Sequence, residues 1–288
     1  MQILRTKQEL DQHITKLKLE NRQIGFVPTM GALHQGHVAL IKAAAKLCDA
    51  VVVSIFVNPL QFGENEDFRQ YPRTEARDIE LLEQQHVSAV YLPTAEMMYP
   101  EMFTTRVTIS RYNDILCAKS RPGHFDGVAT ILTKLFLQVQ PDRAFFGEKD
   151  YQQLVIVRQL VKDLDFPVRV FGVPIARDTD GLALSSRNAY LNEKERRIAP
   201  ALYETMMFIA GKIRVGRSPV YFLTKEARNL LLGKGFDKVE YMELRDAATL
   251  EEITNYCDVP ARLLVAVQLG RTRLIDNIEV MPTAVTAT

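Results

Sequence analysis

Short apolar runs alternate with longer amphipathic stretches over the first 176 residues of this chain. The short runs are rich in β-branched and aromatic residues and predict strands, at 24–27, 50–57, 87–92, 143–146 and 168–173. Apolar residues that recur every three or four positions predict helices, at 38–48, 74–85 (with Thr74 as N-cap), 128–139 and 151–164. Strands that alternate with helices are typical of an α/β fold, a parallel sheet with helices packed on its faces.

The pattern changes after Gly181. Two long amphipathic stretches followed by two alternating ones predict helices and then strands, at 193–214, 219–233, 238–244 and 263–269. This order is typical of a smaller α+β domain. Turn residues and charges in 177–181, RDTDG, mark the boundary. We therefore predict one domain over 1–176 and a C-terminal domain over 177–288.

Composition and charge limit the classes of partner. The 288 residues include 36 Lys and Arg against 35 Asp and Glu, a net charge of +1, and neither sign forms a long block. We therefore expect no nucleic-acid partner and no membrane partner. The cysteines Cys48, Cys117 and Cys257 are far apart and in no C-x-x-C pattern, which favours a reducing compartment. Residues 1–18 are charged rather than signal-like, and the apolar runs are far too short to span a bilayer, so we expect a soluble, cytoplasmic protein.

The segment 25–37, GFVPTMGALHQGH, places two histidines where an apolar strand gives way to a helix. Pro28 and Gly31 break the strand. The N-terminus of a helix presents unpaired N–H groups and the positive end of a dipole, so it stabilises an anion. His34 and His37 are expected on one face of the opening turn, where imidazoles donate hydrogen bonds or protons to phosphoryl oxygens. The segment predicts a phosphate site, although two histidines here also fit simple helix capping.

Metal binding is the other alternative for the two histidines. No cysteine or acidic residue lies at ligand spacing from them, and zinc sites usually have three or four ligands. We therefore expect phosphate rather than metal at this position.

Two further loops follow predicted strands, and the carboxyl ends of parallel strands gather at one edge of a sheet. In the loop NPLQFG, the amide of Gln61 can donate to a carboxylate or hydroxyl while Asn58 holds the turn. A Pro-containing loop with an Asn cap is the structural alternative. In the loop GEKD, Lys149 reaches phosphate as a point charge, and Asp150 can bind a ribose or a magnesium ion. An exposed ion-pair turn is the alternative there.

Three weaker signals accompany these loops. Gln153, one turn into the next predicted helix, faces the same edge, although alone it would be an ordinary surface glutamine. In 184–188, LSSRN, two hydroxyls precede Arg187, whose guanidinium offers several donors to a triphosphate. This loop is either a lid over the site or a solvated loop. The segment 121–125, RPGHF, is either a binding loop or a turn before the next helix, with Asp126 as the cap of that helix.

Separated motifs place the chain close to one known family. The chain contains, in this order, PTMGALHQGH, FVNPLQF, RPGHF, GEKDYQQL and LSSRNAYL, and together they closely resemble the pantothenate synthetases, also called pantoate–β-alanine ligases. The likeness extends over 1–282. It implies a Rossmann-like nucleotidyltransferase domain, related to that of class I aminoacyl-tRNA synthetases, in which HQGH and LSSR match the two ATP signatures. It also implies a homodimer, the use of Mg²⁺ with ATP, and a smaller C-terminal domain that closes over the site.

The resemblance also implies roles for individual residues. Catalytic roles fall to His34, His37, Lys149 and Arg187, with His37 the residue assigned as proton donor. ATP is expected to contact a larger set, namely Met30, Gly31, Ala32, Leu33, His34, Gln35, Gly36, His37, Gly147, Glu148, Lys149, Asp150, Ala176, Leu184, Ser185, Ser186 and Arg187. Pantoate is expected on Gln61 and Gln153, and Gln61 should also border β-alanine. Ala176 departs from the Val of many relatives, but a backbone contact survives that change. No metal ligands are assigned.

The implied reaction is an ATP-dependent condensation of (R)-pantoate with β-alanine to pantothenate, a coenzyme A precursor. The pantoate carboxylate attacks the α-phosphorus of ATP, and the β-alanine amine then attacks the carbonyl of pantoyl adenylate. Positioning and charge stabilisation dominate such phosphoryl chemistry. Two other functions stay open: a nucleotidyltransferase that moves AMP onto a phosphate ester, which has little need of paired glutamines, and a non-catalytic nucleotide sensor. A tRNA synthetase is disfavoured, because no basic tRNA-binding extension is visible.

Overall fold

The computed structural model describes four segments of the chain, 1–64, 66–216, 218–256 and 259–281. The chain divides into two compact units. The first comprises Met1–Glu148 and Gln153–Pro174, and the second comprises Lys149–Gln152 and the residues from Ile175 onward. The predicted boundary after Ala176 lies just past the change of unit at Ile175, and the assignment of an ATP- and pantoate-binding domain and a lid domain stays a prediction. Cys48 and Cys117 form no disulfide among the described residues, and Cys257 lies outside them.

The first unit contains a six-stranded parallel sheet, which confirms the predicted fold class. Its strands are β1 (Gln2–Leu4), β2 (Ile24–Thr29), β3 (Ala50–Ile55), β4 (Ala89–Tyr91), β5 (Arg143–Gly147) and β6 (Arg169–Val173). Their spatial order is β1-β4-β3-β2-β5-β6. Residues 50–54 of β3 are all buried, which explains why every residue of this strand except Ser54 is apolar.

Helices of the first unit follow the strands in sequence. They are α1 (Lys7–Leu19), α2 (Gln35–Leu47), α3 (Glu75–Gln84), α4 (Ala95–Met98), α5 (Leu116–Ser120), α6 (His124–Val139) and α7 (Tyr151–Asp163), of which 151–152 belong to the second unit. Thr74 precedes α3 as predicted, but its hydroxyl donates to Asp78 (3.1 Å) and caps no backbone N–H. Asp126 is not the cap of α6, because the helix begins earlier, after Gly123 in the left-handed region (φ 77°). The Asp126 carboxylate accepts instead from the N–H of Ile109, 2.8 Å away.

The charged N-terminal segment forms β1 and α1, which the apolar pattern does not predict. Thr6 caps α1, because its hydroxyl accepts from the N–H of Glu9 while the Glu9 carboxylate accepts from the N–H of Thr6. Leu10, Ile14 and Leu17 form the buried face of this helix. Within the described part of the chain, no helix combines the length and the apolar character that a membrane span requires.

The second unit contains an antiparallel sheet with helices packed against it. Its strands and helices are β7 (Lys238–Asp246), β8 (Ala261–Leu269), β9 (Thr272–Val280), α8 (Glu193–Ile198), α9 (Ala201–Val215) and α10 (Val220–Gly233). The prediction of one helix over 193–214 is wrong, because the helix breaks at Ala199 and Pro200. Proline lacks the N–H that a continuous helix requires. β9 is not predicted either, because two buried polar residues, Asp276 and Asn277, interrupt its apolar pattern.

Candidate active site

Three of the predicted site loops follow neighbouring strands of the first unit. Met30 follows β2, the residues Asn58 and Gln61 follow β3, and Gly147 ends β5. β2 lies between β3 and β5 and is parallel to both, so the carboxyl ends of the three strands meet. The structure therefore brings these loops to one edge of the sheet.

A buried carboxylate holds the turn that follows β2. Asp78, on α3 and 1% exposed, accepts hydrogen bonds from the N–H groups of Ala32 (2.9 Å) and Leu33 (2.8 Å). Gly31 and Ala32 have φ of 81° and 49°, in the left-handed region that is unfavourable for alanine. The two hydrogen bonds offset this strain and fix the backbone that leads into His34. No sequence signal marks Asp78, because an acidic residue in a charged amphipathic helix is usually solvated.

His34 and His37 lie side by side, with ring centroids 4.2 Å apart. His34 is the N-cap of α2 rather than a member of its opening turn. Its Nδ1 accepts from the N–H of Gly36 (3.0 Å), and its own N–H donates to Nδ1 of His37 (3.2 Å). Because each Nδ1 accepts a hydrogen bond, each neutral ring carries its proton on Nε2. Helix capping and the predicted phosphate binding are therefore compatible.

The amide of Gln61 has one orientation, which a chain of hydrogen bonds fixes. The side-chain oxygen of Asn58 accepts from the N–H of Leu60 (3.3 Å), so its Nδ2 must point the other way. That Nδ2 donates to the carbonyl of Gly127 and to Oε1 of Gln61, both at 3.0 Å. Nε2 of Gln61 then lies 3.1 Å from the sulfur of Met30. Gln61 consequently presents donors, rather than an acceptor, on the side of Met30.

Tyr99 completes this network. Its hydroxyl donates to the side-chain oxygen of Asn58 (2.7 Å), and Asn58 is only 1% exposed. Burial raises the pKa of Tyr99, so the hydroxyl keeps its proton and stays a donor. The sequence places Asn58 in a turn, but the contribution of Tyr99 depends on tertiary contact and has no local signal.

In the second unit, Lys149 lies in the short 3₁₀ turn Glu148–Asp150. Its side chain is 18% exposed, and its ammonium lies 3.8 Å from the half-exposed carboxylate of Asp150. Lys149 and Ser185 line one small cavity together with Asp276. The ion pair in a turn that the alternative describes is therefore present, but Lys149 itself is not exposed, because most of its side chain is buried.

Ala176 and Leu184 are neighbours in the second unit. The N–H of Leu184 donates to the carbonyl of Ala176 (2.9 Å). The next residue, Ser185, accepts through its hydroxyl from the N–H of Arg187 (3.3 Å) and caps a 3₁₀ turn, Ser186–Tyr190. The structure therefore brings the LSSR residues and Ala176 together.

Two buried polar residues of β9 support these segments. The carboxylate of Asp276 (3% exposed) accepts two hydrogen bonds from the Arg177 guanidinium, at 2.6 and 2.8 Å. Burial raises the pKa of Asp276, and Arg177 opposes that rise. The amide of Asn277 (1% exposed) donates to the backbone carbonyl of Lys149, 3.0 Å away. Neither residue is found from sequence, because no strand is predicted there.

The predicted site residues form two sets, one in each unit. The first unit holds Met30–His37, Gln61, Gly147, Glu148 and the half-buried Gln153. The second unit holds Lys149, Asp150, Ala176 and Leu184–Arg187. Across the residues that the structure describes, no group of three or more His, Cys, Asp or Glu side chains is arranged to hold a metal ion by itself.

Known proteins were compared with the chain in sequence and in structure. Residues 2–279 match the family described as pantoate-beta-alanine ligase. A pantothenate synthetase from Sphingopyxis alaskensis is 49% identical over 280 residues, 97% of this chain and 100% of the relative. The crystal structure of a pantothenate synthetase from Thermus thermophilus has a TM-score of 0.91 and 43% identity, and the match covers 98% of this chain and 100% of that chain.

A second crystal structure adds ligands to the comparison. It is a pantoate-beta-alanine ligase from Francisella tularensis complexed with beta-gamma ATP and beta-alanine. Its TM-score is 0.82 and its identity 34%, over 96% of this chain and 97% of that chain. The resemblance that the motifs carry is thereby confirmed, and the chain belongs to the pantoate–β-alanine ligase family.

Proposed function

We propose that this chain condenses (R)-pantoate with β-alanine, with ATP as co-substrate, to give pantothenate, AMP and pyrophosphate. The observation that carries the proposal is the pair of imidazoles at the start of α2, His34 and His37, whose neutral rings both carry their proton on Nε2. Two N–H donors beside the positive end of a helix dipole suit the phosphates of a nucleotide.

In the first unit, Met30–His37 binds ATP, with His34 and His37 on its phosphates, to which the Nε2–H of His37 donates a hydrogen bond. Gly147 and Glu148 also contact the nucleotide. Gln61 and Gln153 bind pantoate, and Gln61 borders β-alanine as well. The donor orientation of the Gln61 amide supports this role, because the carboxylate and hydroxyl oxygens of pantoate accept hydrogen bonds.

In the second unit, Lys149 and Arg187 supply positive charge to the phosphates. The hydroxyls of Ser185 and Ser186, the backbone of Leu184 and that of Ala176, and Asp150 complete the contacts with ATP. The hydrogen bond that Leu184 donates to Ala176 supports a shared role for these two residues.

The first step forms pantoyl adenylate. A carboxylate oxygen of pantoate attacks the α-phosphorus, the bond to the bridging oxygen breaks, and pyrophosphate departs with that electron pair. The carboxylate and the phosphates repel each other, so fixed donors and cations must hold them in line. Orientation of this kind is worth on the order of 7–11 kcal/mol of barrier in favourable cases.

The second step forms the amide. The neutral amine of β-alanine attacks the carbonyl carbon of the mixed anhydride, AMP leaves with the electron pair of the broken C–O bond, and the nitrogen releases one proton to solvent. The adenylate hydrolyses readily, so exclusion of water protects it until the amine arrives.

Mg²⁺ accompanies ATP in this proposal. The ion usually takes one or two carboxylates together with substrate phosphates and water. Asp150 fits that pattern, because its side chain is 50% exposed. When bound, Mg²⁺ supplies charge neutralisation on the phosphates.

We also propose a homodimer and a cytoplasmic location. The dimer rests on the family resemblance, and light scattering of the purified chain tests it. Cys48 and Cys117 form no disulfide among the described residues, which is consistent with the reducing compartment proposed here.

Formation of AMP from ATP, pantoate and β-alanine, with each omitted in turn, tests the overall reaction, and pantoate-dependent ATP–pyrophosphate exchange tests the first step. His37→Ala should slow the exchange about 10²–10³-fold, the usual loss for one transition-state donor. The control is His86→Asn, at an exposed histidine with φ 55° that asparagine tolerates, and it should leave the rate unchanged. A loss below about threefold for His37→Ala refutes the role of this residue.

The same assays separate the competing functions. Exchange that depends on a phosphate ester such as phosphopantetheine, and not on pantoate, would identify another nucleotidyltransferase. ATP binding without any exchange would identify a nucleotide sensor.

A further inference from the structure

The RPGHF motif has no role in the proposed reaction, yet two of its side chains bind the backbone of Gln61. Nδ1 of His124 lies 2.8 Å from the carbonyl oxygen of Gln61, and Nη2 of Arg121 donates to the same oxygen at 3.2 Å. A carbonyl only accepts, so the proton of the imidazole lies on Nδ1. Nε2 of His124 in turn accepts from Nη1 of Arg121, 2.9 Å away. This tautomer is the opposite of that in His34 and His37.

Glu66 anchors the guanidinium of Arg121. Nε and Nη2 of Arg121 donate to the two carboxylate oxygens of Glu66, at 2.7 and 2.5 Å. The side chains are only 15% and 24% exposed. Burial alone would raise the pKa of Glu66, but the groups around the carboxylate, the Arg121 guanidinium first among them, together hold that pKa below its ordinary value, so the pair stays ionised. Arg121 thus directs all three of its nitrogens at defined acceptors.

Every polar group of Gln61 except Nε2 is consequently held by hydrogen bonds within this cluster. Its carbonyl accepts from Arg121 and His124, its backbone N–H donates to the carbonyl of Asn58 (3.4 Å), and its Oε1 accepts from the Asn58 amide (3.0 Å). Only Nε2 points away from this set of contacts, toward Met30. A helix turn and a loop that merely packed together would not need a partly buried ion pair whose guanidinium also donates to one backbone carbonyl oxygen.

We propose that Glu66, Arg121 and His124 are positioning residues for pantoate binding, because they fix the backbone of Gln61 so that its Nε2 donors meet an acceptor oxygen of this hydroxy acid. The inference rests on the proposed role of Gln61. In this proposal the three residues act through Gln61 and do not themselves bind pantoate. A Gln61 that is free to shift weakens the hold on pantoate and leaves ATP binding intact, so the KM for pantoate should rise selectively.

Two substitutions of His124 test the proposal in the pantoate-dependent exchange assay, with the KM for pantoate and for ATP measured separately. His124→Ala removes the donor to Gln61 and should raise the KM for pantoate about tenfold, with the KM for ATP within about twofold. His124→Asn restores a donor at the position of Nδ1 and should return the KM for pantoate to within about threefold of the wild type. A purely structural role would move both KM values or neither.

His13 provides a matched control. It is a buried histidine (8% exposed) of the same unit, and its Nε2 lies 3.2 Å from the hydroxyl of Ser88. His13→Ala should lower Tm as His124→Ala does, but it should leave the KM for pantoate unchanged.

A KM for pantoate that rises no more in His124→Ala than in His13→Ala overturns the inference. A wild-type chain without pantoate-dependent exchange overturns the proposed function instead, so the two failures are distinguishable. If His124→Ala does not fold, Arg121→Lys decides the matter, because lysine keeps the charge opposite Glu66 but cannot also reach the Gln61 carbonyl. We expect a rise of about fivefold in the KM for pantoate, and no rise refutes the positioning role.

Discussion

Replacing Asp78 with asparagine would test how the turn before α2 is held. The side chain keeps its size, but one of its oxygens becomes an NH₂ group. That group must face the N–H of Ala32 or the N–H of Leu33, which now donate to the two carboxylate oxygens. One hydrogen bond is therefore lost, and the other changes from charge-assisted to neutral.

The magnitude follows from these two contacts. A hydrogen bond to a charged group contributes about 1.5–3 kcal/mol and a neutral one about 0.5–1.5 kcal/mol. Loss of one and weakening of the other costs about 2–4 kcal/mol in the turn, where Ala32 already has a left-handed backbone. If ATP must then restore the binding conformation of the turn, a cost of about 2 kcal/mol reduces the affinity for ATP about 30-fold.

Calorimetric titration with a nonhydrolysable ATP analogue measures the affinity, and a thermal melt measures the stability. Glu75→Gln is the control, because Glu75 lies on the same helix and its half-exposed side chain pairs with Arg5, away from the turn. We expect the control to bind the analogue normally. An Asp78→Asn variant that binds the analogue within about threefold of the wild type would show that other contacts hold the turn.

Two further substitutions test the supports of the site. Gly127→Ala should lower the free energy of unfolding, measured in urea, by about 3 kcal/mol, because the added Cβ would overlap the backbone carbonyl of Leu60. Gly211→Ala is the control and should not lower it, because its added Cβ would lie in open space. Equal unfolding energies for the two variants would contradict this contact. Asn277→Asp replaces the donor to the Lys149 carbonyl with a carboxylate and should lower kcat/KM for ATP about tenfold, while an unchanged value would mean that this hydrogen bond does not position the lysine.

Much of the first unit could be predicted because its signals are local. Five of the six residues of β3 are buried, and its apolar run predicts a central strand without knowledge of its neighbours. The turn residues after β2 and the spacing of His34 and His37 likewise lie within one short segment. That the two rings cap the helix, and thereby fix their own tautomers, depends on backbone geometry that spacing alone does not contain.

Features that depend on tertiary contact have no comparable signal. Asp78 holds a turn that lies more than 40 positions earlier in the chain, and Asn277 binds the carbonyl of Lys149 from a strand whose polar residues are buried. Because these buried residues are polar, β9 lacks the alternation of apolar and polar residues that would predict a strand. In α1 the many charged residues of the exposed face obscure the periodicity of its few apolar residues, so the sequence pattern does not predict this helix.

The tetrapeptide 149–152 affects how this chain can be dissected. It belongs to the second unit although the residues on both sides of it belong to the first. Tyr151 donates to a backbone carbonyl of the second unit (2.8 Å), and the Arg262 guanidinium lies 4.4 Å from the centre of its ring. A gene truncated to begin at Ile175 would therefore omit Lys149 together with an aromatic anchor of the fragment it encodes. A chimera of two relatives that takes its whole second unit from one of them must exchange two separate segments, 149–152 and the residues from Ile175 onward.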